Sequence, residues 1–200
     1  MSSAMGLDKS FKRRIFTART LMSDMGFLVS NAPEIVKATR DERISKAFVE
    51  KIMTVTTAVN GCVYCAWFHA RQAVESGISE EEVRNMLNLQ FQADATEFEM
   101  PALLYAQHYA ETNRHPDPAM TDRLVDFYGE ETAAHIMLFI RMIFFGNLYG
   151  NTWDATLSRF RGAPAENSNL AFDLVFFLLN FPVMCPATIR VNRDQIEMAA

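Results

Sequence analysis

Apolar residues recur at helical spacing along most of the chain, and alternating strand-like patterns are scarce. The clearest case lies between residues 41 and 61, where one helical face carries Ile44, Phe48, Ile52, Val55 and Val59. Gly61 interrupts this pattern. A second helix is predicted to begin at or just before Cys62 and to end at Gly77, because glycine commonly follows the last helical residue.

Local start signals predict the helices that follow. Each signal is a polar cap, namely the capping boxes of Ser79 with Glu82 and Thr96 with Glu99, and the N-cap Asp117 before Pro118. A long helix is then predicted from about residue 130 to residue 160, with a bend near Gly146 and Gly150.

The last helix is predicted over residues 169–180 and is expected to stop at Pro182 and Pro186, because proline lacks the amide hydrogen that a helix requires. The pattern therefore predicts an all-α protein, a helical bundle. Residues 161–169 are the best internal boundary, but the roughly 30 residues beyond them are too few for an independent domain. We expect a single domain over residues 1–200, with helical extensions at both ends.

Composition adds two expectations about partners. Half of the residues are hydrophobic, with 16 Phe and 12 Met among 200 residues, and the net charge is −5. This excess of apolar side chains favours a homo-oligomer, because it exceeds what a monomer of this size needs to bury. No nucleic-acid partner is expected, because such binding requires a clustered basic face.

The longest apolar stretch covers residues 174–184 and is about half the length of a membrane span. It includes Asn180 and Pro182, and it is interpreted as a buried or interface helix, so no membrane partner is expected. No secretory signal follows the basic residues near the start of the sequence. We expect a cytoplasmic location, where thiols stay reduced.

The main chemical candidate is the pattern Cys62-x-x-Cys65-x-x-x-His69. At helical spacing these three residues and Gln72 share one face. Residues three apart have Cβ atoms about 5 Å apart, close to the range that a disulfide can bridge. A helix N-terminus and a neighbouring imidazole both favour a thiolate, so the spacing predicts an activated Cys65.

Spacing alone leaves three interpretations open. In a redox centre, Cys65 attacks the substrate and Cys62 resolves the product as a disulfide. In a zinc site, Cys62, Cys65 and His69 would be ligands, but no second Cys or His pair follows at suitable spacing. A buried structural pair would leave His69 unexplained. The redox interpretation is favoured, and no metal or cofactor is expected.

At these residues the chain resembles the carboxymuconolactone decarboxylase-like family and, within it, the alkyl hydroperoxidase D branch. That branch is marked by a glutamate twelve residues before the first cysteine of a CxxC and by a histidine four residues after the second. Glu50, Cys62, Cys65 and His69 match this pattern. Residues 76–83 and 144–155 are also similar to family segments.

The resemblance covers about residues 30–160, leaving extensions at residues 1–29 and 161–200. It implies an all-helical fold, assembly into trimers or hexamers, and thiol-dependent reduction of small hydroperoxides or disulfides. A thiol reductant or a redox partner protein would regenerate the enzyme. The resemblance further implies a proton relay of Glu50 and His69, with Cys65 as the attacking thiol and Cys62 as the resolving thiol.

Two other functions stay open. Decarboxylases of the same fold, which act on a small lactone or acid, do not depend on a CxxC pair, and a non-catalytic oligomer could use the thiols to sense redox state. The chain also departs from the branch at Tyr64, where the peroxidases can carry a second histidine. On the long helix, Asn147, Asn151 and Asp154 share one face, for which an interface is expected rather than a pocket.

Overall fold

The computed structural model of the protein describes the backbone of residues 11–199 and the side chains as far as residue 194. Predictions that concern residues 1–10 lie outside the described residues. Within the described part, the chain forms α-helices joined by short connections, and its only strand-like feature is an isolated bridge between Phe11 and Ala165. The predicted all-α class is therefore confirmed.

Helix bounds follow the chain in order. The α-helices are α1 (Ala18–Ser30), α2 (Ala32–Ala38), α3 (Lys46–Asn60), α4 (Val63–Glu75), α5 (Glu80–Leu87), α6 (Met100–Glu111), α7 (Pro118–Tyr128), α8 (Glu130–Phe160) and α9 (Leu170–Ala199). A short 3-10 helix, Phe91–Ala93, lies between α5 and α6.

Two of the three predicted caps begin helices in the structure, whereas the Thr96–Glu99 hydrogen bonds form in the turn before α6, which begins at Met100. The side chain of Ser79 accepts a hydrogen bond from the Glu82 amide at the start of α5, and Asp117 caps α7 through the Ala119 amide. Gly61 closes α3 in the left-handed conformation, with φ of 67°, which glycine adopts at little cost. These local signals were readable because each depends on residues close in sequence.

Helix α3 lies at the centre of the bundle and packs against α4, α5, α6 and α8. Its predicted apolar face is buried, with Phe48, Ile52 and Val55 almost fully removed from solvent. Helix α8 is the second core helix and lies along α3. Helix α4 packs against both α3 and α8.

The predicted end of the last helix at residue 180 is wrong, because α9 continues through Pro182 and Pro186 to Ala199. Each internal proline removes a backbone hydrogen bond, at a cost of about 3 kcal/mol. Both prolines lie on the exposed side of α9, where water can hydrate the carbonyls that lose a partner. Tertiary contacts beyond the prolines help to offset the remaining cost of the two prolines. Trp153 donates a hydrogen bond to Thr188 and Trp67 donates one to Asp194, each at 2.9 Å.

Two described helices, α8 and α9, are long and apolar enough to cross a membrane by length and composition alone, a test that buried core helices also pass. In α8 more than half of the most apolar window is buried inside the bundle, which accounts for its composition. In α9 only 17% of that window is buried. The exposed face of α9 therefore needs a separate explanation.

Candidate active site

The turn between α3 and α4 places the two cysteines. Cys62 follows Gly61 and is the N-cap of α4, and its sulfur accepts a hydrogen bond from the Cys65 amide. Both cysteines are free thiols, and their sulfur atoms lie 2.6 Å apart. The pair therefore sits at a helix N-terminus, where the aligned peptide dipoles favour negative charge.

The two thiols differ in their access to solvent. Cys62 is fully buried, whereas Cys65 lines a cavity of about 370 Å³. The wall of this cavity is mostly apolar and includes Met53, Phe68, Met142, Ile143, Tyr149 and Met184. A small organic molecule in the cavity would meet the sulfur of Cys65 and not that of Cys62.

The thiols also differ in acidity. The hydrogen bond donated by the Cys62 thiol lowers the pKa of Cys65, and the Asn147 side chain lowers it further, against the opposing effect of burial. The same hydrogen bond, together with burial, raises the pKa of Cys62. The proton therefore stays on Cys62 and the negative charge forms on Cys65, which is the reactive state of a thiol.

Glu50 and His69 meet across the α3–α4 turn. The Nδ1 atom of His69 lies 2.7 Å from Oε2 of Glu50, and both side chains are largely buried. A carboxylate partner fixes the proton on Nδ1, which leaves Nε2 free to accept one. His69 lines the same cavity as Cys65. The sequence suggested that the His69 imidazole lowers the pKa of Cys65. In the structure the groups that lower this pKa are Cys62 and Asn147, whereas His69 is hydrogen-bonded to Glu50.

Asn147 is a site residue whose position could not be read from sequence spacing. It is fully buried on α8, donates to the Thr57 hydroxyl at 2.9 Å and accepts from the Asn60 side chain at 3.1 Å. Asn151, one turn further on, donates to the Asn60 carbonyl. The polar face predicted to form an interface thus lies within the chain, where α8 packs on α3 and α4.

Tyr64, between the cysteines, is part of a second polar network. Its hydroxyl donates to Asp154 at 2.7 Å, and the other oxygen of Asp154 forms an ion pair with Arg13. The Thr188 hydroxyl of α9 lies 3.3 Å from the Tyr64 oxygen. Burial raises the pKa of Tyr64, with Asp154 adding to the effect. Tyr64 therefore stays protonated and ties α4 to α8 and α9.

Gly150 makes room for the cysteine pair. A Cβ atom at this position would lie 2.6 Å from the Cys62 sulfur, closer than Cβ atoms come to other atoms, and 3.2 Å from Cδ2 of Tyr64, a tight contact. Gly146, one turn earlier, would meet nothing closer than 3.9 Å. The sequence suggested a helix bend for both glycines, whereas the contacts assign Gly150 to the close approach of α4.

In the described part of the chain, no group of three or more His, Cys, Asp or Glu side chains is placed to hold a metal ion. A larger cavity, of about 790 Å³, lies between α1, α2 and α8 and contains neither cysteine. Of these two cavities, the smaller one is therefore the candidate site for any chemistry of the thiols, because Cys65 lines it.

Residues 33–108 match the model of the carboxymuconolactone decarboxylase family. The matched segment contains Glu50, Cys62, Cys65 and His69, so the predicted resemblance to this family is confirmed over these residues. A search of curated proteins found no match. The match ends before α8, which supplies Asn147 and Gly150.

Replacing Gly150 by alanine tests the close packing behind the thiol pair. We expect Gly150→Ala to lower the free energy of unfolding by about 1–3 kcal/mol, the usual cost of overpacking, and to slow formation of a Cys62–Cys65 disulfide. Urea unfolding and mass spectrometry after mild oxidation measure the two effects.

The matched control is Gly146→Ala on the same helix, where the added methyl group has space and alanine favours the helix by up to about 1 kcal/mol. If Gly150→Ala has the wild-type urea midpoint of unfolding and forms the disulfide at the wild-type rate, the assigned role of Gly150 is wrong.

Proposed function

We propose that the protein is a thiol-dependent oxidoreductase of the alkyl hydroperoxidase D type, which reduces hydroperoxides or disulfides through Cys65 and Cys62. One observation carries the proposal: Cys65 has a lowered pKa and lines a cavity, while the buried Cys62 holds its proton with its sulfur 2.6 Å away. An exposed attacking thiolate backed by a buried resolving thiol is the arrangement that this chemistry requires.

In the first step the Cys65 thiolate attacks the distal oxygen of a hydroperoxide. The S–O bond forms as the O–O bond breaks, the sulfur is oxidised to a sulfenic acid, and the peroxide is reduced to an alcohol. His69, as an imidazolium formed when it takes the proton of the Cys65 thiol, returns that proton to the leaving alkoxide. Glu50 stabilises the imidazolium through Nδ1.

In the second step the Cys62 sulfur attacks the sulfur of the oxidised Cys65. The S–S bond forms, the S–O bond breaks, and the hydroxyl group leaves as water with the proton of Cys62. An external dithiol then reduces the disulfide and supplies the two electrons and two protons of the cycle. We place this cycle in the cytoplasm, where such reductants are abundant.

The apolar wall of the cavity favours an organic substrate. Met53, Phe68 and Met142 surround the space in front of Cys65 and His69. An alkyl group would bury apolar surface there, at roughly 25 cal/mol per Å², whereas hydrogen peroxide would gain nothing from this wall. We therefore propose that alkyl hydroperoxides are better substrates than hydrogen peroxide.

A lyase acting on a small lactone or acid is the second candidate, because the Glu50–His69 pair at a cavity could move a proton without either thiol. The two candidates differ in their response to thiol alkylation. The oxidoreductase loses its activity when both cysteines are blocked, whereas a lyase keeps it.

Turnover of an alkyl hydroperoxide with a dithiol reductant tests the leading proposal. We expect Cys65→Ser to abolish steady-state peroxide consumption, because the nucleophile is lost, and Cys62→Ser to stop the disulfide-forming step. Glu50→Gln is expected to lower kcat by at least about tenfold, since general acid–base help is typically worth 10²–10⁴ in rate. Peroxide loss in a coupled assay is the measurement.

Cys185→Ser is the matched control, a third thiol outside the cavity that is expected to turn over like the wild type. Wild-type turnover by Cys65→Ser would contradict the proposal. Oxidation of the cysteine pair without sustained turnover would instead identify a redox sensor.

The exposed face of α9 supports a second proposal, that the protein assembles with further copies of itself. Every exposed position between residues 170 and 189 is apolar. The eight largest side chains on this face are 40–74% exposed: Leu170, Leu174, Val175, Leu178, Leu179, Phe181, Val183 and Ile189. Together they present on the order of 800 Å², about what each partner buries in a stable interface.

A second copy fits this face better than a lipid surface does. The net charge of −5 disfavours anionic headgroups. Polar contacts also hold α9 on the bundle at both ends, through the Arg159–Asp173 ion pair at 2.7 Å and the Trp67–Asp194 hydrogen bond at 2.9 Å. The trimer or hexamer implied by the family resemblance would cover the apolar side chains.

Charges placed on α9 test this assembly. Light scattering should give the wild type a mass that is a multiple of one chain, and Leu178→Glu combined with Leu179→Glu should reduce the mass, because two buried charges would be unpaired in the interface. Val29→Glu on α1, where the wild-type side chain is also 74% exposed, is the control and should keep the wild-type mass. A monomeric wild type would defeat the proposal.

A further inference from the structure

The cavity of about 790 Å³ between α1, α2 and α8 has no part in the thiol chemistry. Its volume lies within the range of 300–1,000 Å³ that is typical of small-molecule sites. The side chains around it are both charged and apolar, so its ligand preference depends on which charges are already neutralised within the protein.

Most charges in the cavity wall are paired. The ion pairs join Arg114 with Asp24 at 2.5 Å, Lys37 with Glu34 at 2.7 Å and Glu131 with Arg43 at 2.8 Å. Arg141 differs, since no carboxylate in the described part of the chain lies within ion-pair distance of it. Its guanidinium lies over the Phe27 ring, 3.2 Å from the centroid. Among the lysine and arginine side chains of the wall, Arg141 is therefore the one whose charge has no carboxylate partner within the described residues.

Tyr109 and His135 are two further polar residues of the wall. The Tyr109 hydroxyl, from α6, makes no hydrogen bond to the described residues. His135, from α8, is almost fully buried and its Nδ1 atom lies 2.6 Å from Oδ2 of Asp41. Arg43 and His135 hold the pKa of Asp41 well below its usual range, so Asp41 is ionised and fixes the proton on Nδ1.

Apolar side chains complete the wall. Phe27, Met137 and Leu138 line the same space as Arg141 and Tyr109. A ligand that suits this combination has one anionic end and one flat apolar end. Carboxylates pair well with a guanidinium, because its planar N–H groups match the two oxygens.

We infer that the cavity between α1, α2 and α8 is a binding site for a small organic carboxylate with a ring-sized apolar body, held by Arg141 and the Tyr109 hydroxyl. The apolar body packs against Phe27 and Leu138. The site is separate from the cysteine cavity, and this inference does not depend on the proposed oxidoreductase activity.

Benzoate is the test ligand, and benzamide is its uncharged counterpart of the same shape. Isothermal titration with the full chain should show benzoate binding and benzamide binding at least tenfold weaker. Arg141→Gln should weaken benzoate binding by about tenfold or more, the usual effect of losing a charge-assisted hydrogen bond. Arg84→Gln, an exposed arginine on α5, is the matched control and should bind like the wild type.

A second experiment tests whether benzoate binds at this site or in the cysteine cavity. Benzoate affinity should be unchanged in Cys65→Ser and in protein whose accessible thiols have been alkylated. Absence of benzoate binding, equal binding of benzamide, wild-type affinity in Arg141→Gln, or loss of binding on alkylation would each overturn the inference.

Discussion

The hydrogen bond from the Cys62 thiol to the Cys65 sulfur is the interaction on which the site depends. It divides two chemically identical side chains into a proton donor and a nucleophile, because it raises the pKa of one and lowers the pKa of the other. The two thiols also differ in access, since Cys62 is fully buried and only Cys65 lines the cavity. The order of attack and resolution in the proposed cycle follows from this asymmetry.

Much of what holds this pair in place comes from α8, outside the matched family segment. The Asn147 side chain lowers the pKa of Cys65, and Gly150 leaves the space that the Cys62 sulfur occupies. Asp154 holds the Tyr64 hydroxyl, and Met184 of α9 closes one side of the cavity. The family match thus covers the candidate catalytic residues, while the second half of the chain completes the geometry around them.

The features that were predictable from sequence are those that depend on near neighbours. The buried face of α3 and the caps at Ser79 and Asp117 each follow from residues within a turn or two. The Glu50–His69 contact joins residues across a turn, so spacing alone could not predict it, and it was expected only from the family resemblance. The effect of Asn147 on the pKa of Cys65 joins distant parts of the chain and has no local signal.

The incorrect helix end at residue 180 has a related cause. Pro182 and Pro186 are strong local signals, but tertiary contacts at Thr188 and Asp194 outweigh them. The same contacts explain why such an apolar helix remains packed on the bundle along one side. The cost of a proline inside a helix can be read from the sequence. The stabilisation that α9 gains from distant helices cannot, because its contacting residues are unknown until the fold is known.

The most direct test of the account is the rate of alkylation of each cysteine as a function of pH, followed by peptide mass spectrometry on the folded protein. Cys65 should react with a midpoint below the ordinary thiol value of about 8.5, while Cys62 stays unmodified. In Cys62→Ala the midpoint for Cys65 should move upward, because the donated hydrogen bond is lost. Faster alkylation of Cys62, or an ordinary Cys65 midpoint that Cys62→Ala leaves unchanged, would contradict the account.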